Sequence, residues 1–220
     1  MTRGSTVLGV LGWAGLLLGA WWSLAPGAIG ESVFDMPYRN QLDGSPYAMA
    51  NCGPTALSMV LAFYGIDASP WELRVASMQV QHSWVDDDGG YSNAYGVFVY
   101  NLASVAQTYG LRTTGLWTYE GSRVDQLRQW EPDDLRRELA LDRPVIVEVE
   151  YRALPAHQGS RATADHYIVL HGFSGSEFLY SDPMGLAEDA DAVTINEADL
   201  FYAMGQAMTP RVAFAAARKG

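Results

Sequence analysis

The one cysteine of this 220-residue chain, Cys52, heads an apolar run, "NCGPTALSMVLAFYG". A cysteine at a helix start has its sulfur beside free backbone N–H groups and the positive end of the helix dipole, which favours the thiolate. Gly53 lets another part of the chain approach closely, and Pro54 suits a first helical turn, where a missing N–H costs nothing. The competing reading is an inert buried thiol, because free cysteine is among the most buried residue types. This stretch alone leaves both open.

A nucleophilic cysteine needs a base, and the base needs an orienting group. Of the four histidines, His82, His157, His166 and His171, only His166 has a carboxylate the sequence can place beside it. His166 opens the strand "HYIVLHG", and the next strand ends at "SDP", with Asp182. A hairpin turn centred on Ser174 sets His166 directly opposite Asp182, with Cα atoms about 5 Å apart. A carboxylate so placed fixes the imidazole tautomer and steadies the imidazolium. His171, five positions along, points to the other face and reads as structural. His82 and His157 read as surface or loop residues.

Acyl chemistry also needs donors for an oxyanion. The Cys52 N–H is one, and the side-chain amide of Gln41, Asn40 or Asn51 is a candidate for the second. No histidine spacing marks a metal site. "DDDGG", Asp86 to Gly90, lacks the ligand alternation and distal Glu of a calcium loop and reads as a solvated turn. No cofactor is expected.

The elements that must position these groups follow in order. A central helix runs from about Pro54 to Tyr64 and is closed by Gly65. A second starts with Ser69 as N-cap, Pro70 at N1 and Glu72 at N3. "GVFVYNLASVAQTYG" is a third helix, and "EPDDLRRELALD" a short fourth. Strands then take over at "RPVIVEVEY", "DHYIVLHGF", "EFLYSDP" and "DAVTI", before a short helix at "EADLFYAM". Helices first and antiparallel strands second is the α+β pattern. The loop from Arg152 to Asp165 is equally an active-site lid or a tolerated insertion.

Arg3 precedes an uncharged run from Val7 to Leu24, followed by the small residues of "APGAIG". Residues 1–30 therefore read as a signal peptide or an N-terminal membrane anchor, and residues 31–220 as one exported domain. Without Arg3 the remainder holds 13 basic against 25 acidic residues, a net charge of −12. So acidic a body disfavours a nucleic-acid partner.

In their order, Gln41, "NCGPTALSMVLAFYG", "RPVIVEVEY", "DHYIVLHGF" and "YSDPMG" resemble the bacteriocin-processing (double-glycine) peptidase-like family, within the papain-like cysteine peptidase superfamily. The resemblance runs from about Phe34 to Met204. It implies a papain-like α+β fold, its nucleophile helix packed on a C-terminal antiparallel sheet. It also implies a catalytic Cys52, a general base or acid in His166, an orienting Asp182 and an oxyanion donor in Gln41. The expected activity is that of an exported thiol peptidase working through an acyl-enzyme on Cys52. The expected form is a monomer taking peptide or protein substrates. The alternatives are transfer of the acyl group to an amine, and a non-catalytic peptide-binding domain on the same fold.

Overall fold

The run after Cys52 forms helix α1, Cys52–Phe63, buried from Cys52 through Leu61, as a helix apolar nearly all round must be. Gly65 closes it at φ 75°, a left-handed conformation that suits glycine at a helix end. In the computed structural model the described residues are 31–45, 47–80, 96–120, 123–185 and 190–220. The readings placed on residues 1–30, His82 and Asp86 to Gly90 lie outside them.

Strand β1, Glu31–Val33, precedes α1. Helices α2, Pro70–Val80, and α3, Val99–Thr108, follow it. The expected cap of α2 is present: the Glu72 N–H donates to Ser69 Oγ at 3.2 Å and the Ser69 N–H to Glu72 Oε2 at 2.8 Å. Next come β2, Leu111–Thr114, and a small hairpin of β3, Trp117–Glu120, and β4, Arg123–Leu127. Helix α4, Pro132–Leu139, leads into β5, Val145–Glu150; β6, Asp165–Ser174; and β7, Glu177–Ser181. The chain ends through β8, Val193–Asn196; α5, Glu197–Gln206; and β9, Ala213–Arg218.

Among the described residues, an antiparallel sheet runs β2-β9-β5-β6-β7-β8, with β1 on the far end of β6. Each face carries its own core. Helices α1 to α3 pack on Ile146, Tyr167, Val169 and Phe214. Helices α4 and α5 pack on Val147, Val149, Ile168 and Leu170. This is the expected α+β fold with the nucleophile helix on the sheet. The sheet gains strands the sequence did not announce. β9, "AFAAAR", is rich in alanine, a poor strand former, yet it lies between β2 and β5 with Ala213 to Ala217 buried.

The β6–β7 hairpin departs from its expected register. Its two-residue turn is Gly175-Ser176, with Ser174 opposite Glu177, because Gly175 takes the φ of 58° that such a turn demands at its first position. The pairing then shifts by one residue at His171, between Leu170↔Tyr180 and Gly172↔Leu179. His166 is therefore not directly opposite Asp182. Continued past Val169↔Ser181, the register brings Asp182 opposite Ile168, one pleat away on the His166 side. Without the bulge, the same turn would put Asp182 opposite Val169 and on the wrong face, since a one-residue slip reverses every side chain. His171 holds the bulge in place, its ring nitrogens 2.9 Å from the Phe34 carbonyl and 3.2 Å from that of Asp191.

Glu148, on β5, is a carboxyl inside this core, 2% exposed. Burial, then the nearby Asp165, push its pKa from the ordinary 4.5 up to about 7, against hydrogen bonds from Thr209. Its neutral form is the one the fold accepts. The stability it contributes is full below about pH 4.5 and is lost as pH rises through 7. Glu148→Gln is therefore expected to raise the unfolding temperature more at pH 8 than at pH 5, as read by calorimetry at both.

Candidate active site

The approach to Cys52 is held on both sides. Arg74, buried in α2, donates through Nη1 to the Ala50 carbonyl at 3.0 Å and to Asn51 Oδ1 at 3.1 Å. Its guanidinium also lies 4.8 Å from the centre of the Tyr47 ring, which stacks on Trp71. Tyr47 adopts φ 66°, unusual for a bulky residue, and these contacts fix it there. On the other side, α1 lies directly on β6 at Gly53. A Cβ at Gly53 would come within 2.8 Å of Leu102 Cδ1 and 3.1 Å of the Tyr167 ring. Glycine here permits the close approach that brings Cys52 to the β6 residue His166. Nothing in the sequence marked Arg74 as the clamp on this segment.

His166 is 3% exposed, and its two ring nitrogens serve two partners. Nε2 donates to Asp182 Oδ1 at 2.7 Å. Cys52 also acts on this ring to raise its pKa, and Nδ1 is the nitrogen that Asp182 leaves free. Burial opposes charge on this ring. Hydrogen bonds to Asp182 and Cys52, with their negative charges, outweigh that and push the His166 pKa from 6.5 up to about 10. Asp182 is 1% exposed. Burial acts to raise its pKa, but hydrogen bonds from His157 and His166 hold it well below the usual carboxylate range. The Met184 N–H also donates to Oδ1, at 2.8 Å. The pair thus favours a positive ring beside a negative carboxylate.

Gln41 is also at this site. Its backbone N–H donates to the Pro183 carbonyl at 2.8 Å, beside Asp182. Its side-chain Nε2 donates to the Ala48 carbonyl at 2.9 Å, and it is 1% exposed. A primary amide has two N–H donors, so one stays available on Nε2. The competing amides are occupied elsewhere. Asn40 donates to the Gly185 carbonyl at 2.9 Å and accepts from the Leu42 N–H at 2.8 Å. Asn51 accepts from Arg74 and donates to Ser45 Oγ at 3.4 Å, and neither it nor Asn40 lines the cleft that holds Cys52 and Gln41.

Cys52, Gln41 and His166 line one cleft of about 410 Å³, with Met49, Tyr151 and Met184 among its walls. Cys52 is only 7% exposed, and its opening is into this cleft. The loop between β5 and β6 forms one wall through Tyr151, Ser160, Ala162 and Ala164. A larger cavity of about 650 Å³ shares Ala164 and Asp165 with the cleft but contains none of Cys52, His166 and Asp182.

His157 does lie in a loop, between β5 and β6, but the structure corrects the reading of it as a residue with no carboxylate beside it. Its ring is 8% exposed, and Nε2 lies 2.6 Å from Asp182 Oδ2. Sequence could not find this pair: His157 sits in a short helical turn, Pro155–His157, outside any strand register. Among the described residues no group of three or more His, Cys, Asp or Glu side chains is arranged to hold a metal ion.

The Peptidase_C39 like family matches residues 33–207, a span that contains all of these groups. No curated protein matches the chain. Two solved structures show the same fold. A C39-like peptidase from Bacillus anthracis superposes with a TM-score of 0.56 at 16% identity, over 86% of this chain and 98% of that one. A double glycine motif protease from an AMS/PCAT transporter, solved with its leader peptide, gives 0.52 at 21% identity, over 86% and 95%. With four-fifths of its length matched by one family, the chain belongs to the Peptidase_C39 like family and is a cysteine peptidase.

Proposed function

We propose that the protein cleaves peptide bonds through an acyl-enzyme on Cys52, and that the chain crosses a membrane before it does so. The observation that carries the first part is one ring, His166, 2.7 Å from Asp182 Oδ1 and lining one cleft with Cys52 and Gln41. The Cys52 thiolate attacks the scissile carbonyl, and the new C–S bond pushes its electron pair onto oxygen. The Cys52 N–H, which precedes the helix's own carbonyl partners, and Gln41 Nε2 hold that oxyanion. His166 Nδ1 gives its proton to the leaving amine as the C–N bond breaks. The ring then takes a proton from water, which attacks the thioester and frees the acid and the thiolate. Asp182 holds the ring in the required tautomer throughout.

The substrate is a peptide, as is the ligand in the complex of the double glycine motif protease with its leader peptide. The test is mass spectrometry of a peptide mixture incubated with the protein and with Cys52→Ala. New termini that need Cys52 support hydrolysis. New amide products in the presence of glycinamide would turn the reading to acyl transfer. Neither product would leave a binding domain and overturn catalysis. Gln41→Ala is expected to lower kcat by about a hundredfold, with KM little changed, if its amide meets the oxyanion. Steady-state rates on any cleaved peptide check this.

Export rests on the uncharged run from Val7 to Leu24 behind Arg3. Among the described residues no helix is long and apolar enough to cross a membrane. N-terminal sequencing of the protein recovered outside the cytoplasm tests export. Recovery in the cytoplasm alone would overturn it.

A further inference from the structure

Asp182 holds two histidines, not one. Oδ1 accepts from His166 Nε2 and from the Met184 N–H. Oδ2 accepts from His157 Nε2 at 2.6 Å, its one partner among the described residues. The His157 ring is itself fixed: it stacks on Tyr151, with centroids 4.0 Å apart and planes at 18°. The same Tyr151 ring meets His166 edge-on, with centroids 5.2 Å apart at 85°. Tyr151 therefore stands between the two histidines while also lining the cleft. Neither a surface histidine nor a simple loop tether needs a buried, stacked ring aimed at a carboxylate that already serves a second imidazole.

We propose that His157 is a positioning residue for the reaction, holding Oδ2 of Asp182 and thereby setting how strongly that carboxylate draws the His166 imidazolium. The proposal rests on Cys52 and His166 acting as a pair. A donor on Oδ2 does two things. It stops the carboxylate from rotating away from His166. It also shares the carboxylate's charge, so less of it acts on the His166 ring. The loop from Tyr151 to Asp165, which walls the cleft, is joined to the chemistry by the same bond. The charged and titratable groups around the cluster are few. Cys52, Asp182 and Tyr151 face His166. Asp182 and Tyr151 face His157. The Tyr38 hydroxyl donates to the Asp182 carbonyl, with Asp191 beyond it, and Asp165 adjoins His166 on β6.

The test is the pH dependence of Cys52 alkylation by iodoacetamide in the unsubstituted protein, His157→Phe and His157→Gln. Phenylalanine keeps the stack on Tyr151 but loses the N–H. Glutamine can return an N–H to the Nε2 position. In His157→Phe the whole carboxylate charge acts on His166, so the alkaline step, where the imidazolium is lost, should move up by about half to one pH unit. In His157→Gln it should stay in place. An unmoved step in His157→Phe, or equal movement in both variants, overturns the proposal, because a purely structural residue lowers yield or unfolding temperature without moving that step. If His157→Phe does not fold, nitrogen-15 spectra of the unsubstituted protein decide. A hydrogen-bonded proton on His157 Nε2 supports the assignment, and a bare Nε2 overturns it. Failure of the underlying pair looks different: Cys52 of the unsubstituted protein would then resist alkylation at about pH 6.

Discussion

His166→Ala is expected to lower kcat/KM on the order of ten-thousand-fold, a loss set by removing the group that moves every proton in the cycle. The same substitution should change stability with a definite sign. The folded His166 pKa is raised, from 6.5 to about 10, so its imidazolium stabilises the fold. That contribution is full below pH 6.5 and is lost as pH rises through 10. The variant should therefore be less stable than the unsubstituted protein near neutrality, and the difference should shrink toward pH 10. Denaturant titrations at several pH values, with kinetics on one cleaved peptide, check both parts.

Asp182→Asn is expected to be nearly as damaging to the rate and more damaging to the fold. An amide in place of the carboxylate must offer an N–H where one histidine now donates. One of His157 and His166 then takes the wrong tautomer or loses its partner, and a rate loss on the order of a thousandfold or more follows. Asp182 is 1% exposed and is held well below the usual carboxylate range, so its charge stabilises the fold above the ordinary carboxylate pKa and is lost only in strong acid. Breaking a buried pair by removing one partner costs about 3–5 kcal/mol. Here one ring loses its partner while the other keeps a neutral acceptor, so a loss within that range applies. Urea denaturation at neutral pH measures the loss. A variant of unchanged stability would contradict the charge placed on Asp182.

How much of this was legible depended on whether local rules settled it. The caps at Ser69 and Glu72, the glycine that ends α1 and the β-branched run of β5 are local, and the structure places them as the sequence indicates. The pairing of His166 with Asp182 was legible as a neighbourhood but not as a register. The bulge at His171 depends on carbonyls of Phe34 and Asp191, which come from distant segments. β9 was hidden by alanine, whose weak strand preference is overridden between two strands that need small side chains. That Gln41 rather than Asn40 or Asn51 lines the cleft with Cys52 depends on the path of the loop before α1, which no local rule fixes. Arg74 and His157 were invisible for a related reason. Each acts on a segment far from it in sequence, the one through a loop before α1 and the other through Asp182.

Most of the proposed chemistry depends on one property, a Cys52 sulfur made reactive by the His166 ring beside it. Iodoacetamide reads that property without any substrate. At about pH 6 Cys52 should be alkylated rapidly in the unsubstituted protein, as followed by intact-mass spectrometry, and that reactivity should vanish in His166→Ala. A cysteine that reacts equally in both proteins, and only as pH approaches about 8 to 9, would contradict the paired nucleophile.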